Sequence, residues 1–369
     1  MAIRKTVALV AGLALAASAM AGCAAQRTPG GTTGGGDKPI IGVTMPTVSL
    51  ERWNNDGAGL KTQLESLGYQ VQLDYADNKN ELQIQQLENQ INAGAKVLVI
   101  ASIDGKTLGP TLQKAADKGI KILAYDRLIL NTPNVDYYAT FDNYKVGNLQ
   151  GTFIKDTLKL DSAPGPFNFE PFAGSPDDNN ASLFFQGAWD VLKPFVDSNK
   201  LVIQSETGKK AAGNWQDIGI LEWKTTSAQS EMENRLHSYY TDKKVNVVLS
   251  PNDSLALGIA QALETNGYTV GPDYPVLTGQ DGDVANVKNI LAGKQSMTVW
   301  KDTRELAKRV ATMVDQIVKG GTVETNDTKT YNNGNKVVPS YLLEPKTVVK
   351  DTVQSMLVDS GFIKADQLK

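Results

Sequence analysis

The sequence predicts an α/β fold made of two doubly wound parallel sheets in tandem, each with helices on both faces. Three observations support this prediction. The body of the chain, from about Pro39 onward, has roughly 330 residues, which is enough for two domains. Short apolar runs alternate with helical segments, and many of these runs have no polar interruption, as in parallel strands buried on both faces. The alternation starts again after Tyr144.

The first half of the body supplies four predicted strands and three predicted helices. Gly68 and Gly119 each follow a helical segment, where glycine commonly ends a helix. In the second of these helices, Leu82, Leu87 and Ile91 fall on one face. The predicted strands are 40–45, 69–75, 97–100 and 120–125, and the predicted helices are 52–67, 81–93 and 108–118.

The second half repeats this pattern. Its predicted helices are 146–160, 181–196, 227–240 and 255–264, and its predicted strands are 166–173, 201–203, 245–249, 275–278 and 297–300. In doubly wound sheets, ligands bind beyond the carboxyl ends of the strands. Functional side chains are therefore expected directly after each strand.

The N-terminus has the pattern of an export signal. Arg4 and Lys5 precede an uncharged apolar stretch from Thr6 to Met20, which is shorter than the ~20 apolar residues of a spanning helix. The stretch ends in Met20-Ala21-Gly22-Cys23, which resembles a bacterial lipobox. We therefore expect residues 1–22 to be a lipoprotein signal peptide and Cys23 to be lipidated. The alternative is an ordinary cleaved signal that leaves a free thiol.

A glycine-rich segment follows the cysteine. Residues 23–38 include Gly30-Gly31 and Gly34-Gly35-Gly36 and lack any hydrophobic period, which predicts a flexible tether. Removal of Arg4 and Lys5 would change the formal net charge from −3 to −5. This acidity argues against a nucleic-acid partner, which would favour a basic patch.

Polar and aromatic side chains recur after the predicted strands of both halves. Carboxylates accept hydrogen bonds from hydroxyl groups, while Arg, Asn and Lys donate to hydroxyl and ring oxygens. Tryptophan can cover the apolar C–H face of a pyranose. Each residue also has a simpler interpretation: Asp178 and Asp253 could be helix caps, Asp126 and Arg127 a structural ion pair, and either tryptophan part of the core. The combination favours a site for a neutral polyol.

Five motifs together resemble one known family. They resemble the xylose-binding and multiple-sugar-binding proteins, the sugar-binding components of bacterial ABC importers within the type I periplasmic-binding-protein class. The resemblance covers residues 40–349. The motifs are Asp126-Arg127-Leu128-Ile129, Gly174-Ser175-Pro176-Asp177-Asp178-Asn179-Asn180-Ala181, Ser250-Pro251-Asn252-Asp253, Gly279-Gln280-Asp281 and Val337-Val338-Pro339-Ser340-Tyr341-Leu342-Leu343.

The resemblance implies two Rossmann-like lobes joined by three hinge crossings. We place these crossings near Asp142-Asn143, near Trp300-Lys301 and at Gly334. The N-terminal lobe would then comprise residues 39–142 and 301–333, and the C-terminal lobe residues 143–300 and 334–369.

The resemblance also implies a set of sugar-binding residues. Several relatives carry Asn after the third strand where this chain has Ala101, so either Asp104 supplies that contact or the pocket is looser there. Trp215 corresponds to the second aromatic wall. The expected ligand-binding residues are Arg52, Trp53, Asp104, Asp126, Arg127, Asp178, Asn179, Asn180, Trp215, Asn252, Asp281 and Lys301.

The implied function is transport. A monosaccharide such as xylose, glucose, galactose or arabinose would close the hinge and pass to an ABC permease and its ATPase. The protein would be a monomer without cofactor or metal. It would be lipid-anchored to the outer face of the cytoplasmic membrane of a Gram-positive cell, or otherwise periplasmic.

Three other classes remain open at this point. An exported carbohydrate-active enzyme would need two carboxylates flanking the scissile bond, and the composition alone does not exclude it. The single histidine, His237, lies among helical residues, and the sequence has no evident catalytic triad, metal motif or P-loop, so we expect no enzyme activity. A transcription regulator would need a DNA-binding module where the signal and tether lie. A receptor that feeds a sensor kinase or chemoreceptor would have the same sequence features as a transport protein.

Overall fold

The apolar runs of the first half form the central strands of a six-stranded sheet in the computed structural model, which describes residues 38–369. Signal, lipobox and tether, apart from Lys38, lie outside the described residues. The strands are β1 Ile40–Met45, β2 Gln70–Tyr75, β3 Val97–Ile100, β4 Lys121–Tyr125, β5 Tyr137–Phe141, β6 Phe167–Pro171, β7 Leu201–Val202, β8 Val247–Leu249, β9 Val276–Leu277, β10 Met297–Trp300, β11 Ser340–Leu343 and β12 Lys346–Val349.

Helices connect most of these strands. The α-helices are α1 Glu51–Ser66, α2 Asn80–Asn92, α3 Gly109–Asp117, α4 Asn143–Thr157, α5 Asn179–Asp197, α6 Glu206–Lys209, α7 Thr225–Tyr239, α8 Asp253–Thr265, α9 Val284–Ala292 and α10 Thr303–Val318. Short 3₁₀ helices lie at Lys210–Ala212, Trp215–Ile218, Leu221–Trp223, Lys350–Thr352 and Ala365–Leu368, and one π-helical turn lies at Gln354–Val358. Within residues 38–369, no helix has the length and apolar character to span a membrane.

The first sheet is entirely parallel, with strand order β2-β1-β3-β4-β5-β11. Both of its faces are covered. Val97 and Val99 of β3 pack on one side with α1 and α10, while Leu98 and Ile100 pack on the other with α2 and α3. Successive side chains of a strand point to opposite faces, so a strand covered on both sides has no place for a solvent-facing polar residue. This explains the uninterrupted apolar runs.

The second sheet repeats the strand order of the first. Strands β7-β6-β8-β9 are parallel, and a single parallel bridge between Gln280 and Val299 continues the sheet toward β10. Strand β12 pairs antiparallel with β10 at the far end. We call the first sheet with its helices the first lobe, and the second sheet with its helices the second lobe. The α/β fold class with two doubly wound lobes is confirmed.

The chain passes between the lobes at three places. It leaves the first sheet after β5 and enters α4 at Asp142–Asn143, and it returns between β10 and α10, where Lys301 lies. The third passage lies between β11 and β12, at Glu344–Pro345. The predicted crossing at Gly334 is therefore wrong, because Ser340–Leu343 pairs in parallel with Tyr138–Phe141 and completes the first sheet.

Helices α4 and α5 of the second lobe pack with their backbones in close contact. A Cβ atom placed on Gly187 of α5 would lie 2.0 Å from the carbonyl oxygen of Tyr144, and one on Gly147 of α4 would lie 1.8 Å from that of Phe184. Such distances are sterically excluded, so glycine is required for this approach. The packing fixes α5, which carries Asn180 and Phe184 toward the cleft between the lobes.

We predict that Gly187→Ala lowers the free energy of unfolding by about 1–3 kcal/mol, the usual cost of overpacking. The matched control is Gly59→Ala in α1, where the new Cβ would lie 3.7 Å from the Cβ of Ala307, an ordinary contact. That variant should be more stable by about 0.5–1 kcal/mol, because alanine is the better helix former. Urea denaturation measures both, and equal effects of the two substitutions would contradict the prediction.

Candidate functional site

A buried pocket lies where the carboxyl ends of the two sheets face each other. Both lobes contribute to it, and charged and aromatic side chains dominate its walls. The lining residues are Leu50, Arg52, Trp53, Asp126, Arg127, Asp178, Asn180, Phe184, Trp223, Asn252, Ser254, Gln280, Asp281, Asp283 and Lys301.

Arg52, in the first turn of α1, is surrounded by three carboxylates. Its guanidinium contacts Asp56 one turn along the same helix at 3.4 Å, Asp126 at the end of β4, and Asp281 of the second lobe at 3.5 Å. Burial opposes the charge of Arg52, but the three carboxylates outweigh it and raise its pKa above the ordinary value. The same pairing overcomes the burial of Asp126, whose pKa lies below the usual range because of Arg52 and Lys301.

Arg127 and Trp53 form the next part of the wall. The Arg127 guanidinium lies 3.0 Å from Asp178 of the second lobe and donates to the carbonyl of Ser102 at 3.1 Å. Both Arg127 and Arg52 lie about 5 Å from the centre of the buried Trp53 ring, within the range of cation–π attraction. The indole is therefore held between two fixed cations.

Asp126 has a left-handed backbone conformation, with φ of 60°. Its carbonyl oxygen accepts hydrogen bonds from the Tyr138 hydroxyl at 2.6 Å, the Thr140 hydroxyl at 2.9 Å and the Asn180 amide at 2.8 Å. Non-glycine residues rarely adopt this conformation, and surrounding contacts must hold them there. Three donors, one of them from the second lobe, do so here.

Asp281 of the second lobe and Lys301, at the crossing between β10 and α10, lie opposite Arg52. Lys301 is almost fully buried, and its ammonium lies 2.9 Å from the Asp281 carboxylate and 5.4 Å from the centre of the Phe184 ring. Asp281 also has a positive φ, of 105°. It therefore bridges two cations, Lys301 at the crossing and Arg52 of the first lobe.

The buried carboxylate of Asp253 shapes the loop that carries Asp281. It accepts hydrogen bonds from the backbone amides of Gly282 and Asp283, each at 3.0 Å, from the Thr298 hydroxyl at 3.0 Å and from the Gln295 amide at 2.8 Å. Burial, together with nearby Asp281, raises the pKa of Asp253 to about 8 despite these donors. Asp253 therefore positions the loop and does not line the pocket.

Trp223 supplies the second aromatic wall. Its ring packs on Gly174, where a Cβ atom would lie 2.0 Å from the indole, and its Nε1 donates to Asp178 at 3.2 Å. Phe184 contacts the ring edge-to-face, with centroids 6.2 Å apart. Trp223 and the preceding Glu222 both have positive φ, so the turn that aims this indole is itself strained.

Nine of the twelve residues predicted from sequence line this pocket. They are Arg52, Trp53, Asp126, Arg127, Asp178, Asn180, Asn252, Asp281 and Lys301. Asp178 also caps a helix, as the simpler interpretation suggested, because it accepts from the Asn180 amide of α5. The cap suggested at Asp253 is wrong: Asn252 caps α8 by accepting from the Leu255 amide, and Asp253 is the first residue of that helix. Capping therefore fixes Asp178 and Asn252 at the pocket and does not compete with a place in its wall.

Three predicted residues lie outside the pocket lining. Trp215 packs between the two cores of the second lobe, and Trp223, eight residues later, holds the place predicted for it. Asp104 accepts a hydrogen bond from the Lys106 amide and shapes its own turn. Asn179 begins α5 on the side away from the pocket, while Asn180 reaches into it.

Several lining residues were missed. Phe184 lies one turn after Asn180 on α5, a spacing that places both on one helix face and could have identified it. Gln280 and Asp283 flank the predicted Asp281. Leu50 and Ser254 carried no signal in the sequence.

The pocket is tightly closed by its own side chains, which leave about 30 Å³ of enclosed space. A second cavity of about 530 Å³ lies on the other side of Arg52, Asp281 and Asp283. Its remaining walls come from α1, from the start of α10 and from the C-terminal segment around Phe362. A pyranose could enter the pocket only if the lobes or these side chains moved apart.

The sequence model of the periplasmic binding protein domain family matches residues 41–322, which is most of the chain. The chain belongs to the periplasmic binding protein family. The two-lobed fold and the pocket between the lobes agree with this membership.

Individual members of the family are also similar along nearly the whole chain. The multiple sugar-binding periplasmic receptor ChvE of Rhizobium radiobacter is 52% identical over 334 residues, covering 90% of this chain and 93% of that protein. The D-xylose-binding periplasmic protein of Escherichia coli K12 is 38% identical, covering 89% and 92%. The crystal structure of an ABC transporter solute-binding protein from Clostridium phytofermentans with bound β-D-glucose has a TM-score of 0.84 and 50% identity, covering 89% of this chain and all of that one.

The buried Asp56 beneath the pocket predicts a pH effect on stability. Burial raises its pKa from 3.8 to about 6, although Arg52 opposes the shift. A folded-state pKa above the unfolded value means that Asp56 stabilises the fold at low pH and that this contribution is lost as the pH rises through about 6.

From pH 4 to pH 8, the unfolding free energy of Asp56→Asn should therefore rise by about 2 kcal/mol relative to that of the parent protein. Chemical denaturation at the two pH values measures this difference. Asp126→Asn is the control, because a carboxyl with a lowered pKa is ionised in both states over most of this range and should show no comparable gain. If the difference in unfolding free energy between Asp56→Asn and the parent did not change with pH, the raised pKa of Asp56 would be contradicted.

Proposed function

We propose that this protein is the extracytoplasmic solute-binding component of an ABC importer, and that it captures a monosaccharide in the pocket between its lobes. The observation that carries the proposal is the convergence of charged planar groups and two indoles, Trp53 and Trp223, in one buried pocket built by both lobes. Membership of the periplasmic binding protein family supports it.

The pocket chemistry suits a polyhydroxylated ring. Arg52, Arg127, Lys301 and Asn180 offer donors to ring and hydroxyl oxygens, and the four lining carboxylates accept from hydroxyl groups. The indoles provide surfaces for the apolar C–H faces. We propose an aldopentose or aldohexose ligand such as xylose, glucose, galactose or arabinose. The relatives named for D-xylose and the neighbour that holds β-D-glucose support this class.

Capture proceeds by hinge closure. Several contacts join the lobes at the pocket, among them Arg52 with Asp281, Arg127 with Asp178, and the Asn180 amide with the Asp126 carbonyl. A sugar that bridges both half-sites favours the closed state by the contacts that it makes only there. The closed protein then docks on a permease served by an ATPase. The protein acts as a monomer and catalyses no reaction on its ligand.

A thermal-shift screen of residues 38–369 against pentoses, hexoses, amino acids and nucleosides tests this function. A ligand at a thousand times its dissociation constant should add about 4 kcal/mol of stability. A rise of several degrees with one or more aldoses is expected. No thermal shift with any sugar, or a shift with a nucleoside or amino acid alone, would overturn the proposal.

A pair of tryptophan variants tests the pocket. Trp223→Ala removes a pocket wall and should weaken aldose binding at least tenfold in titration calorimetry. Trp215→Ala removes the same side chain from the neighbouring core and should leave the affinity within threefold, whatever it costs in stability. The reverse order of effects would show that the aromatic wall has been assigned to the wrong residue.

We propose further that residues 1–22 are a lipoprotein signal peptide, and that lipidated Cys23 and the tether to residue 38 anchor the protein to the outer face of the cytoplasmic membrane. The lipobox-like sequence that ends at Cys23 supports this anchor.

On this hypothesis, Cys23→Ser abolishes incorporation of radiolabelled palmitate into the protein expressed in a bacterial host. The variant also moves from the membrane fraction to a soluble or unprocessed form. Retention of the label by the serine variant would refute lipidation at this residue.

A receptor role is the second candidate. The observation that favours it is the 52% identity to a relative that is named a receptor. The same sugar-closed form could then dock on a sensor kinase or chemoreceptor.

A further inference from the structure

The pocket contains more carboxyl groups than cations. Four carboxylates, those of Asp126, Asp178, Asp281 and Asp283, line it together with three cations. Each cation is already paired: Arg52 with Asp126 and Asp281, Arg127 with Asp178, and Lys301 with Asp281. One carboxylate is left over.

That carboxylate is Asp283. Among residues 38–369, no Lys or Arg nitrogen lies within ion-pair distance of it. Its side chain does not cap α9, although it stands at the N-cap position of that helix. Burial and the neighbouring carboxylates of Asp253, Asp281 and Glu51 raise its pKa well above the usual range, with Arg52 opposing. Asp283 therefore lies in a surrounding that disfavours its negative charge.

A second acceptor in the same loop also lacks a partner. The side chain of Gln280 is 1% exposed and lines the pocket, and its Oε1 accepts no hydrogen bond. A buried acceptor without a partner is costly, and native structures leave few of them. Gln280, with its buried acceptor, and the partly exposed Asp283, without an ion-pair partner, therefore lie in one loop at the wall of the pocket.

The pocket wall that contains Asp283 also borders the second cavity. Asp283, Asp281 and Arg52 separate the pocket from the cavity of about 530 Å³, to which Glu51 adds a further carboxylate. A substituent on a bound ring that points toward Asp283 would therefore meet a carboxyl group without a cation partner, and open volume.

We propose that this pocket also takes amino sugars, meaning pyranoses in which an ammonium group replaces one hydroxyl, with the ammonium held by Asp283 and Gln280. The inference rests on the proposed sugar-binding function and adds a ligand class to it. A hydroxyl donates one hydrogen bond and brings no charge, whereas an ammonium donates three and compensates the fourth carboxylate. In a buried pocket, this compensation is worth more than in water.

The test is titration calorimetry on the full chain at pH 6.5. The probes are D-glucose and its 2-amino, 3-amino and 6-amino deoxy derivatives. At least one amino derivative should bind as tightly as glucose. Asp283→Asn should lower the affinity for that derivative, relative to glucose, at least tenfold. Asp104→Asn removes the same charge outside the pocket and should leave the ratio unchanged.

Two further measurements separate a direct role of Asp283 from a structural one. Binding of the amino sugar should release protons, seen as different heats in buffers of different ionisation enthalpy, since a bound cation lowers the pKa of the Asp283 carboxyl. Glucose should release fewer. Gln280→Met, which removes the acceptor at similar volume, should lower the same affinity ratio even if the Asp283 variant fails to fold.

Binding of glucose but none of the three amino sugars would overturn this inference and leave the proposed function intact. An affinity ratio unchanged in both pocket variants would do the same. Absence of binding by every sugar, neutral or amino, would overturn both.

Discussion

A single buried cation, Arg52, constrains the arrangement of the pocket. Its side chain is about nine-tenths buried, and an unpaired guanidinium at such a site would cost several kcal/mol. The three carboxylates that compensate it come from different parts of the fold: Asp56 from the same helix, Asp126 from the end of β4, and Asp281 from the second lobe. The position of α1, the end of the first sheet and the closure of the lobes are therefore coupled through one side chain.

Three residues that line the pocket have a strained backbone conformation. Asp126, Trp223 and Asp281 all have positive φ and all line the pocket. Each is held by groups that do not line the pocket: the Tyr138 and Thr140 hydroxyls bind the Asp126 carbonyl, Gly174 makes room for the Trp223 ring, and Asp253 binds the loop after Asp281. Strained residues persist only where their surroundings hold them, so this supporting layer is as much a part of the pocket as its lining.

The sequence predicts this architecture well wherever the signal is local. Uninterrupted apolar runs identify parallel strands because both faces are covered, and polar residues directly after them fall at the pocket because those strand ends converge. The predictions that failed for β11 and for the second aromatic wall depend on contacts between residues far apart in the chain. Strand β11 joins the first sheet through β5, some 200 residues away along the chain, and β5 itself, Tyr137–Phe141, was not predicted. Trp215 and Trp223 lie in the same connection between strands, and the Trp223 ring fits at the pocket because Gly174, far away in the chain, has no side chain there.

The cross-lobe contacts determine what a ligand must contribute. The pairs Arg52–Asp281 and Arg127–Asp178 already join the lobes through protein atoms alone. A ligand that only displaced these pairs would exchange one set of charge-assisted bonds for another and would gain little closure energy, because only differential contacts shift the equilibrium. On the proposed function, a productive ligand would instead satisfy groups for which residues 38–369 supply no partner, such as the Gln280 amide oxygen and the Asp283 carboxyl group. On that proposal, the cations would position the ring, while the acceptors without a partner would discriminate among its substituents.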